Sequence, residues 1–326
     1  MRHLASIQRI KSLEPIEGAD AILKATVLGW ELVVKKGEFK VGDLCVYLEI
    51  DSVLPEKPEF EFLRNKNFRI KTIRLRGQIS QGICFPLDIL PKCTVIEEDR
   101  DVTDILGIIK YESPIPANLA GVVKGSFPSF IPKTDETRVQ VMQKELTSVD
   151  GALCFITEKI DGTSVTYFIK DGQFGVCSRN MELEENEDNL YWQMAKQLNI
   201  EEKLRSLNKN LAIQGELAGE GIQGNKLKLK GRHVFFFNLF LIDNYRYAAF
   251  SEWYDVTKNI LQLETVPVLD TDYILTDDIA ALLKKAERNS ELNAAAVAEG
   301  IVIRVKESER LISFKAINTQ FLLKYE

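Results

Sequence analysis

The stretch TEKIDGTS, residues 157–164, decides how the chain is organised. The apolar, β-prone segments ALCFI (152–156) and VTYFI (165–169) lie on either side of it. This pattern predicts a hairpin made of a strand, a tight turn and a second strand. Gly162 would give the turn its backbone freedom, and Lys159 would lie at the mouth of the turn.

Lys159 is a candidate covalent nucleophile, because a neutral lysine amine can form a covalent intermediate. A lysine with the ordinary pKa of about 10.4 is neutral in roughly one molecule in a few thousand at pH 7. Neighbouring cations, a metal ion or desolvation would therefore have to lower the pKa of Lys159. An ordinary hairpin turn without a chemical role is the alternative interpretation of this short motif.

The composition indicates a globular protein with room for two domains. The chain has 326 residues, of which 45% are hydrophobic and 28% charged. No apolar run approaches the roughly 18 residues of a membrane span, and the first residues lack the apolar core of a secretory signal. Five scattered cysteines favour reduced thiols and a cytoplasmic location. Two histidines are too few for a histidine-rich metal site, and a net charge of -6 excludes a protein that is basic throughout but allows local basic strips.

The first third of the sequence predicts a small β-barrel. Short β-prone segments separated by glycine-containing turns lie at residues 25–34, 41–50, 68–76 and 81–86. Several short strands within about a hundred residues are typical of an OB-fold. Segment 68–76 alternates basic and apolar residues, with a slip near Thr72 that suggests a β-bulge.

A basic strip crosses this segment without an acidic residue between Arg64 and Gln78. Its members are Arg64, Lys66, Arg69, Lys71, Arg74 and Arg76. The strip is either a solvated strand face or part of a groove that follows a phosphate backbone. In the second interpretation Arg69, Lys71, Arg74 and Arg76 contact the phosphates of a nucleic acid.

The middle of the chain is connective, and its last half returns to regular structure. Prolines and glycines break up residues 105–150, with a short helix expected from Thr134 to about Lys144. Thr276 is expected to cap a helix that ends at Arg288. Residues 183–207 predict one or two helices, and strands are expected at 211–217, 233–241, 301–305 and 310–315.

Five further motifs follow Lys159 in order. They are CSRN (177–180), QGELAGEG (214–221), FFFN (235–238), AEGIVI (298–303) and ISFK (312–315). Together with EKIDGTS (158–164), this set resembles the collinear motifs of the covalent nucleotidyltransferases, namely DNA ligases, RNA ligases and mRNA capping enzymes. EKIDGTS and GELAG most resemble the ATP-dependent RNA ligases of the RNA ligase 2 branch. A β-rich domain before the lysine resembles the RNA ligases that have an N-terminal OB domain.

The resemblance implies an α+β fold. An OB-like β-barrel (1–105) and a linker with a short helix (106–150) would precede a nucleotidyltransferase domain (151–326) of ATP-grasp-like antiparallel sheets with flanking helices. It also implies three steps: Lys159 attacks the α-phosphate of ATP, AMP passes to an RNA 5′-phosphate, and a 3′-hydroxyl displaces AMP. The expected partner is RNA with 5′-phosphate and 3′-OH ends, above all at a nick in a duplex. We expect a monomer with no membrane partner.

Within this resemblance, several residues would bind the nucleotide. Arg179 and Lys315 would hold phosphate oxygens and favour the neutral amine. Glu216 would accept a hydrogen bond from a ribose hydroxyl, Phe237 would stack on the adenine ring, and Glu158 would read the adenine amino group.

The same resemblance implies a metal site beside the nucleotide. Glu299, and Asp161 through water, are oxygen ligands suited to Mg²⁺ or Mn²⁺. Asp161, Gly162 and Ser164 also line the nucleotide site, and the Ser164 hydroxyl remains available for phosphate.

Three positions depart from the family pattern. The last motif usually has two lysines separated by one residue, and the first of these positions is Ser313 here. A phosphate contact is then either missing or supplied by another cation: Lys226, Lys228, Lys230, Arg232 or Lys324. Ser164 stands where asparagine is frequent, and Asn238 stands where aspartate is common.

Other functions fit part of the pattern. A capping guanylyltransferase usually carries its OB domain after the last motif, and eleven residues follow Lys315 here. An NAD-dependent DNA ligase would need further domains and zinc-type cysteines. An ATP-dependent DNA ligase and a non-catalytic RNA-binding protein with a decayed ligase domain remain alternatives.

Overall fold

The computed structural model describes residues 3–112, 121–306 and 311–325. Part of the expected linker (113–120) and the start of the strand expected at 310–315 lie outside these residues. The chain divides into two units. The first comprises Met1–Ser113, Val139–Glu145 and Leu322–Glu326, and the second comprises Pro114–Arg138 and Leu146–Phe321. No helix in the described ranges is long and apolar enough to cross a membrane.

Short strands make up most of the first unit. They are β1 (Ala5–Ile16), β2 (Ala19–Val27), β3 (Trp30–Lys35), β4 (Leu44–Leu48), β5 (Ser52–Val53), β6 (Ile73–Leu75), β7 (Gln78–Ser80), β8 (Ile83–Phe85) and β9 (Ile109–Lys110). A helix α1 (Thr103–Leu106) and the 3-10 segments Pro58–Lys66 and Leu87–Ile89 connect them.

The main sheet of this unit has the antiparallel order β3-β2-β1-β4-β8. The long strand β1 pairs with β4 through Ala5–Arg9 and with β2 through Ile10–Ile16, so it joins the two halves of the sheet. Trp30 and Tyr47 are fully buried, with ring centroids 6.5 Å apart, and contribute much of the core area. This antiparallel sheet of short strands agrees with the predicted OB-like β-barrel domain.

The strand predicted over residues 68–76 is wrong for most of its length. Only Ile73–Leu75 is a strand, and it forms a hairpin with β7. Asn67 and Phe68 have positive φ angles, so the backbone turns where the strand was expected to begin. Arg76 (φ 48°) and Gly77 (φ 83°) form the two-residue turn of the hairpin.

The second unit contains two larger sheets. Its strands are β10 (Val123–Ser126), β11 (Thr137–Arg138), β12 (Leu153–Lys159), β13 (Thr163–Lys170), β14 (Gln173–Cys177), β15 (Met181–Leu183), β16 (Leu211–Gly219), β17 (Arg232–Leu241), β18 (Arg246–Tyr247), β19 (Val268–Ile274), β20 (Gly300–Val305) and β21 (Ser313–Ile317). One sheet has the order β10-β15-β14-β13-β16-β17-β18 and is antiparallel. The other has the order β11-β21-β20-β12-β19 and is antiparallel except for the parallel pair β11–β21.

The remaining helical elements are divided between the two units. They are α2 (Gln143–Ser148), α3 (Leu190–Gln197), α4 (Ile200–Ser206), α5 (Phe250–Tyr254), α6 (Ile279–Ala286) and α7 (Thr319–Tyr325), with a 3-10 turn at Val139–Val141 and a π-helical segment at Asp255–Ile260. The Asn189 side chain caps α3 by accepting from the Tyr191 and Trp192 N–H groups. Leu190, Met194 and Leu204 bury α3 and α4 in the same core as the seven-stranded sheet, as the sequence predicted for residues 183–207.

The predicted hairpin at Lys159 is not a hairpin. Strand β12 pairs with β19 and β20, whereas β13 pairs with β14 and β16 in the other sheet. Residues 160–162 therefore carry the chain from one sheet to the other. Lys159 is the last residue of its strand, at the point where the two sheets meet.

Two helix starts also differ from the predictions. Thr137–Arg138 pairs in parallel with β21, so the helix expected from Thr134 begins only at Gln143. Asp278, and not Thr276, caps α6 by accepting from the Ala280 and Ala281 N–H groups. Thr276 lies two residues before the cap, and its hydroxyl accepts from the Asp278 N–H group.

Candidate active site

Lys159 and Glu299 form the centre of the site. In the β12–β20 pair Lys159 lies opposite Gly300, which brings the preceding residue, Glu299, next to the lysine. The Lys159 Nζ atom donates to Glu299 Oε2 at 2.7 Å, and both side chains are mostly buried. The sequence predicted both residues, and the structure brings them together.

Glu216 approaches from the other sheet. Ser164 of β13 pairs with Glu216 of β16, and Thr163 pairs with Leu217. A Cβ atom on Gly162 would collide with the Leu217 carbonyl oxygen and lie 3.0 Å from Glu216 Cγ. Gly162 has no positive φ angle. The glycine is therefore required by the close approach of β16 and not by the turn conformation that the sequence suggested.

The three carboxylates raise the pKa of the Lys159 amine. Desolvation alone would lower it, but the charges of Glu299, Glu216 and Asp161 and the hydrogen bond to Glu299 outweigh that effect. Desolvation also raises the pKa of Glu216 to about 8, and the charge of Lys159 opposes this increase. The expectation that the site lowers the pKa of Lys159 is therefore not met, because the surrounding carboxylates favour the ammonium form.

Asp161 lies two residues beyond the lysine and is largely buried. Its Oδ1 atom accepts from Lys226 Nζ at 3.0 Å, and its Oδ2 atom is buried without a hydrogen-bond partner. Desolvation and the charge of Glu299 raise the pKa of Asp161 to about 6. An unsatisfied buried carboxylate oxygen is costly unless a further ligand completes it.

The donor set fits a metal ion that takes only part of its shell from protein. No cluster of three His, Cys, Asp or Glu residues arranged to hold a metal is present in the described part of the chain. Mg²⁺ is commonly bound through one or two carboxylates together with waters and substrate phosphates. Glu299 and the orphaned Oδ2 atom of Asp161 match that pattern.

Glu158 faces away from Lys159, because successive side chains of a strand point to opposite faces. It is 1% exposed, accepts from the Glu291 backbone N–H at 2.8 Å through Oε2, and leaves Oε1 buried without a partner. Desolvation raises the pKa of Glu158. A buried acceptor without a donor is suited to an amino group brought by a ligand.

Phe237 is held by a residue that the sequence analysis missed. Arg304 of β20 donates to the Phe237 carbonyl oxygen at 2.7 Å and to Glu136 at 3.1 Å, and its guanidinium lies 5.9 Å from the Phe237 ring centroid. Its Nε atom donates to Ser313 Oγ at 3.1 Å. The available signal was an arginine inside the otherwise apolar run of β20.

The remaining predicted residues lie on β13 (Ser164), between β14 and β15 (Arg179) and in the middle of β21 (Lys315). The Ser164 hydroxyl is 2.9 Å from the Thr134 hydroxyl, and the exposed Arg179 forms an ion pair with Asp135. Lys315 is half-buried on β21, opposite Val302.

Asn238, which departs from the family pattern, has a structural partner. Its side-chain amide donates to Gln214 Oε1 at 2.9 Å, and Gln214 in turn donates to the Pro132 carbonyl oxygen at 2.8 Å. The amide therefore ties β17 to β16 and to the segment before β11.

The residues of the basic strip in the first unit differ in exposure and in their partners. Arg69 is largely buried, paired with Asp51 at 3.1 Å and stacked 3.6 Å from the Tyr111 ring centroid. Arg64 is paired with Glu56 and Glu61. Arg74 and Arg76 are exposed on the β6–β7 hairpin, and Lys71 is half-buried. The best-placed cations for a nucleic-acid backbone are those of the hairpin.

Comparison with known proteins agrees with both units. A model of an OB-fold domain matches residues 4–87, and the RNA ligase family model matches residues 153–325. A search of curated protein sequences finds no match.

Solved structures of a Naegleria gruberi RNA ligase resemble the chain over nearly its whole length. The form with PPi has a TM-score of 0.93 and 40% identity, and covers 99% of this chain and 98% of that chain. A mutant with AMP and Mn and another with ATP and Mn each have a TM-score of 0.92 and 40% identity, and each covers 98% of both chains. The protein thus belongs to the RNA ligase family.

Proposed function

We propose that this RNA ligase joins RNA 3′-OH and 5′-phosphate ends and uses ATP, through a covalent lysine–AMP intermediate and an RNA-adenylate. The observation that carries the proposal is the convergence of Lys159, Glu299, Asp161 and Glu216 where the two sheets of the second unit meet. The Naegleria ligase structures with ATP, AMP and PPi support ATP as the nucleotide.

The proposed reaction has three steps, and each step forms one bond to phosphorus and breaks another. First, Lys159 Nζ loses a proton and attacks the α-phosphorus of ATP, a P–N bond forms, and pyrophosphate leaves. An RNA 5′-phosphate oxygen then attacks the same phosphorus and breaks the P–N bond. Finally, an RNA 3′-hydroxyl attacks the 5′-phosphate and AMP leaves. Lys159 must lose the ammonium form for the first step, because only the neutral amine has a lone pair.

Each step needs cations around the phosphate groups. Arg179 and Lys315 are proposed to hold phosphate oxygens. Ser164 is proposed to donate its hydroxyl to a phosphate, and Glu216 to accept from a ribose hydroxyl. Glu299, and Asp161 through water, are proposed to hold Mg²⁺ or Mn²⁺, which neutralises phosphate charge and orients the substrate.

The adenine base would be recognised at the face of β12 that carries Glu158, opposite to Lys159. Glu158 has a buried oxygen without a hydrogen-bond partner, which suits an adenine amino group. Phe237 is proposed to stack on the adenine ring, and Arg304 fixes its backbone. Adenine selectivity would then rest on one carboxylate and one aromatic ring.

The OB-fold unit is proposed to bind RNA through the basic strip, with Arg74 and Arg76 as its exposed members and Lys71 beside them. Arg69 was predicted to bind RNA as well, but its ion pair and ring contact favour a role in the fold of the unit.

We further propose a nick in duplex RNA as the preferred substrate and a monomer as the working form. The five free cysteines support a reducing, cytoplasmic location.

Covalent labelling tests the proposal most directly. The protein is mixed with ATP radiolabelled at the α-phosphate and with Mg²⁺ or Mn²⁺, and the protein band is examined after denaturation. We expect a labelled adduct in the wild type and none in Lys159→Ala. A labelled Lys159→Ala band of wild-type intensity would overturn the assignment of the nucleophile. Sealing of nicked RNA compared with nicked DNA then tests the polynucleotide.

A further inference from the structure

The last motif of this chain lacks one of the two lysines that the family usually has, because Ser313 stands at the first position. Ser313 and its partner Arg304 are both engaged within the protein. Its hydroxyl accepts from Arg304, and the three donating nitrogens of Arg304 are directed at Ser313, Phe237 and Glu136. Arg304 is 5% exposed, so it does not reach outward to a ligand.

Lys226 is the candidate replacement that contacts a residue of the active site. It lies in the connection between β16 and β17, and its Nζ atom is 3.0 Å from Asp161 Oδ1, two residues after the nucleophile. Its side chain is 24% exposed, and its Nζ atom also lies 5.1 Å from the Phe321 ring centroid. Lys228, Lys230 and Arg232 are exposed, and Lys324 lies over the Tyr325 ring.

Buried side chains and hydrogen bonds anchor the connection that carries Lys226. Ile222 and Leu227 are 1% and 2% exposed and bury both flanks of the lysine. The Asn225 side chain donates to the Leu229 carbonyl oxygen and accepts from the Leu229 N–H group. Asn293 donates to the Leu227 carbonyl oxygen at 2.9 Å. These contacts fix the backbone on both sides of Lys226, and the contacts with Asp161 and Phe321 locate its ammonium group.

We propose that Lys226 is a phosphate ligand of the nucleotide, in place of the lysine that is absent at position 313. Without nucleotide its ammonium group neutralises Asp161; with nucleotide the same group donates to a phosphate oxygen beside Lys159. This inference rests on the proposed ATP-dependent function and adds a residue to it. A lysine is suited to this role as a compact charge with three donors.

The test compares Lys226→Met with Lys209→Met, which removes an exposed lysine of the same unit that has no proposed role in the site. Binding of α,β-methylene-ATP, which cannot transfer AMP, is measured by calorimetry in EDTA, so that no metal ion bridges protein and phosphate. Loss of a charge-assisted phosphate contact should weaken the affinity of Lys226→Met on the order of 10- to 100-fold. Lys209→Met should bind within about twofold of the wild type, and both variants should keep the wild-type unfolding midpoint. Equal affinity in the two variants would overturn the proposal.

A second measurement separates phosphate binding from the positioning of Asp161. Lys226→Met is placed in an Asp161→Asn background, and the loss of affinity is compared with that in the wild-type background. The same fold-change in both backgrounds supports a direct phosphate contact. Disappearance of the effect in Asp161→Asn would show that Lys226 acts only through Asp161, and would overturn the proposal.

The reaction step that Lys226→Met impairs identifies the phosphate group that Lys226 contacts. Sealing of pre-adenylylated RNA bypasses ATP, so an unchanged rate in Lys226→Met assigns the contact to the leaving pyrophosphate, and a reduced rate assigns it to the α-phosphate. Both results support the proposal. A wild-type protein that forms no adduct with ATP would refute the proposed function as a whole, whereas an adduct-forming wild type with a fully competent Lys226→Met variant would refute only this inference.

Discussion

Replacing Ser313 with lysine would restore the usual family motif, yet we expect it to damage this protein. In the β20–β21 pair Ser313 lies directly opposite Arg304, on the same face of the sheet. The serine hydroxyl accepts from Arg304 Nε at 3.1 Å, and the arginine side chain is 6% exposed. A lysine at this position would remove an acceptor and add a second cation beside a buried one.

The expected cost follows from two effects. Directly opposed cross-strand residues have Cβ atoms about 5 Å apart, and a new ammonium group held about 5 Å from the guanidinium group would be repelled by about 3 kcal/mol at an effective dielectric constant of about 20. Loss of a hydrogen bond to a charged group costs a further ~1.5 kcal/mol. Ser313→Lys should therefore lower the free energy of unfolding by about 4 kcal/mol. That is a large part of the ~5–15 kcal/mol typical of a folded protein.

Urea denaturation monitored by circular dichroism measures this loss, with Ser313→Ala as the control that removes the hydroxyl without adding charge. In an Arg304→Met background, Ser313→Lys should cost less stability than it does in the wild type, because the arginine charge and its hydrogen bond to Ser313 are then already absent. Adduct formation by Ser313→Lys should fall as the Phe237 backbone loses its arginine donor. The reasoning is refuted if Ser313→Lys unfolds at the same urea concentration as Ser313→Ala.

The sequence predicted the strands well and their partners poorly. Apolar β-prone runs located β12, β13, β16 and β17, because the signal for a strand is local. The pairing of β12 with β20 joins residues about 140 positions apart in the chain, as the Lys159–Glu299 contact shows. No short window contains that information, so a turn between two strands was interpreted as a hairpin when it crosses between sheets.

The residues of the active site were also predicted only in part. The ordered motifs identified Lys159, Glu216 and Glu299, which the fold brings close enough to influence one another's charge. The motifs gave no reason to select Arg304, and Lys226 was only one of five cations named as a possible source of the missing phosphate contact. Both residues act through contacts with motif residues that are distant in sequence, and only the three-dimensional structure reveals these contacts.

Three further predictions follow from the site and from the basic strip. Glu299→Gln keeps a hydrogen-bond acceptor for Lys159 but removes a metal ligand, so label transfer from ATP should slow by at least about 100-fold with little change in the unfolding midpoint; a rate within a few-fold of wild type at saturating metal would show that Glu299 is not a ligand. Gly162→Ala should cost about 2 kcal/mol of stability in urea, because its Cβ meets the Leu217 carbonyl oxygen, and an unchanged midpoint would contradict that contact. The exposed pair Arg74→Ala and Arg76→Ala should leave stability within about 0.5 kcal/mol of wild type and preserve adduct formation. The same double variant should seal nicked RNA less well, with a log–log salt slope of RNA binding smaller by roughly 1–2, since each phosphate contact releases about one counterion. Arg69→Ala is the contrasting control: it loses an ion pair and a ring contact and should be less stable by about 2 kcal/mol. If the hairpin variant binds RNA with the wild-type affinity and salt slope, Arg74 and Arg76 form only a solvated face, and the OB-fold unit must contact RNA through other residues.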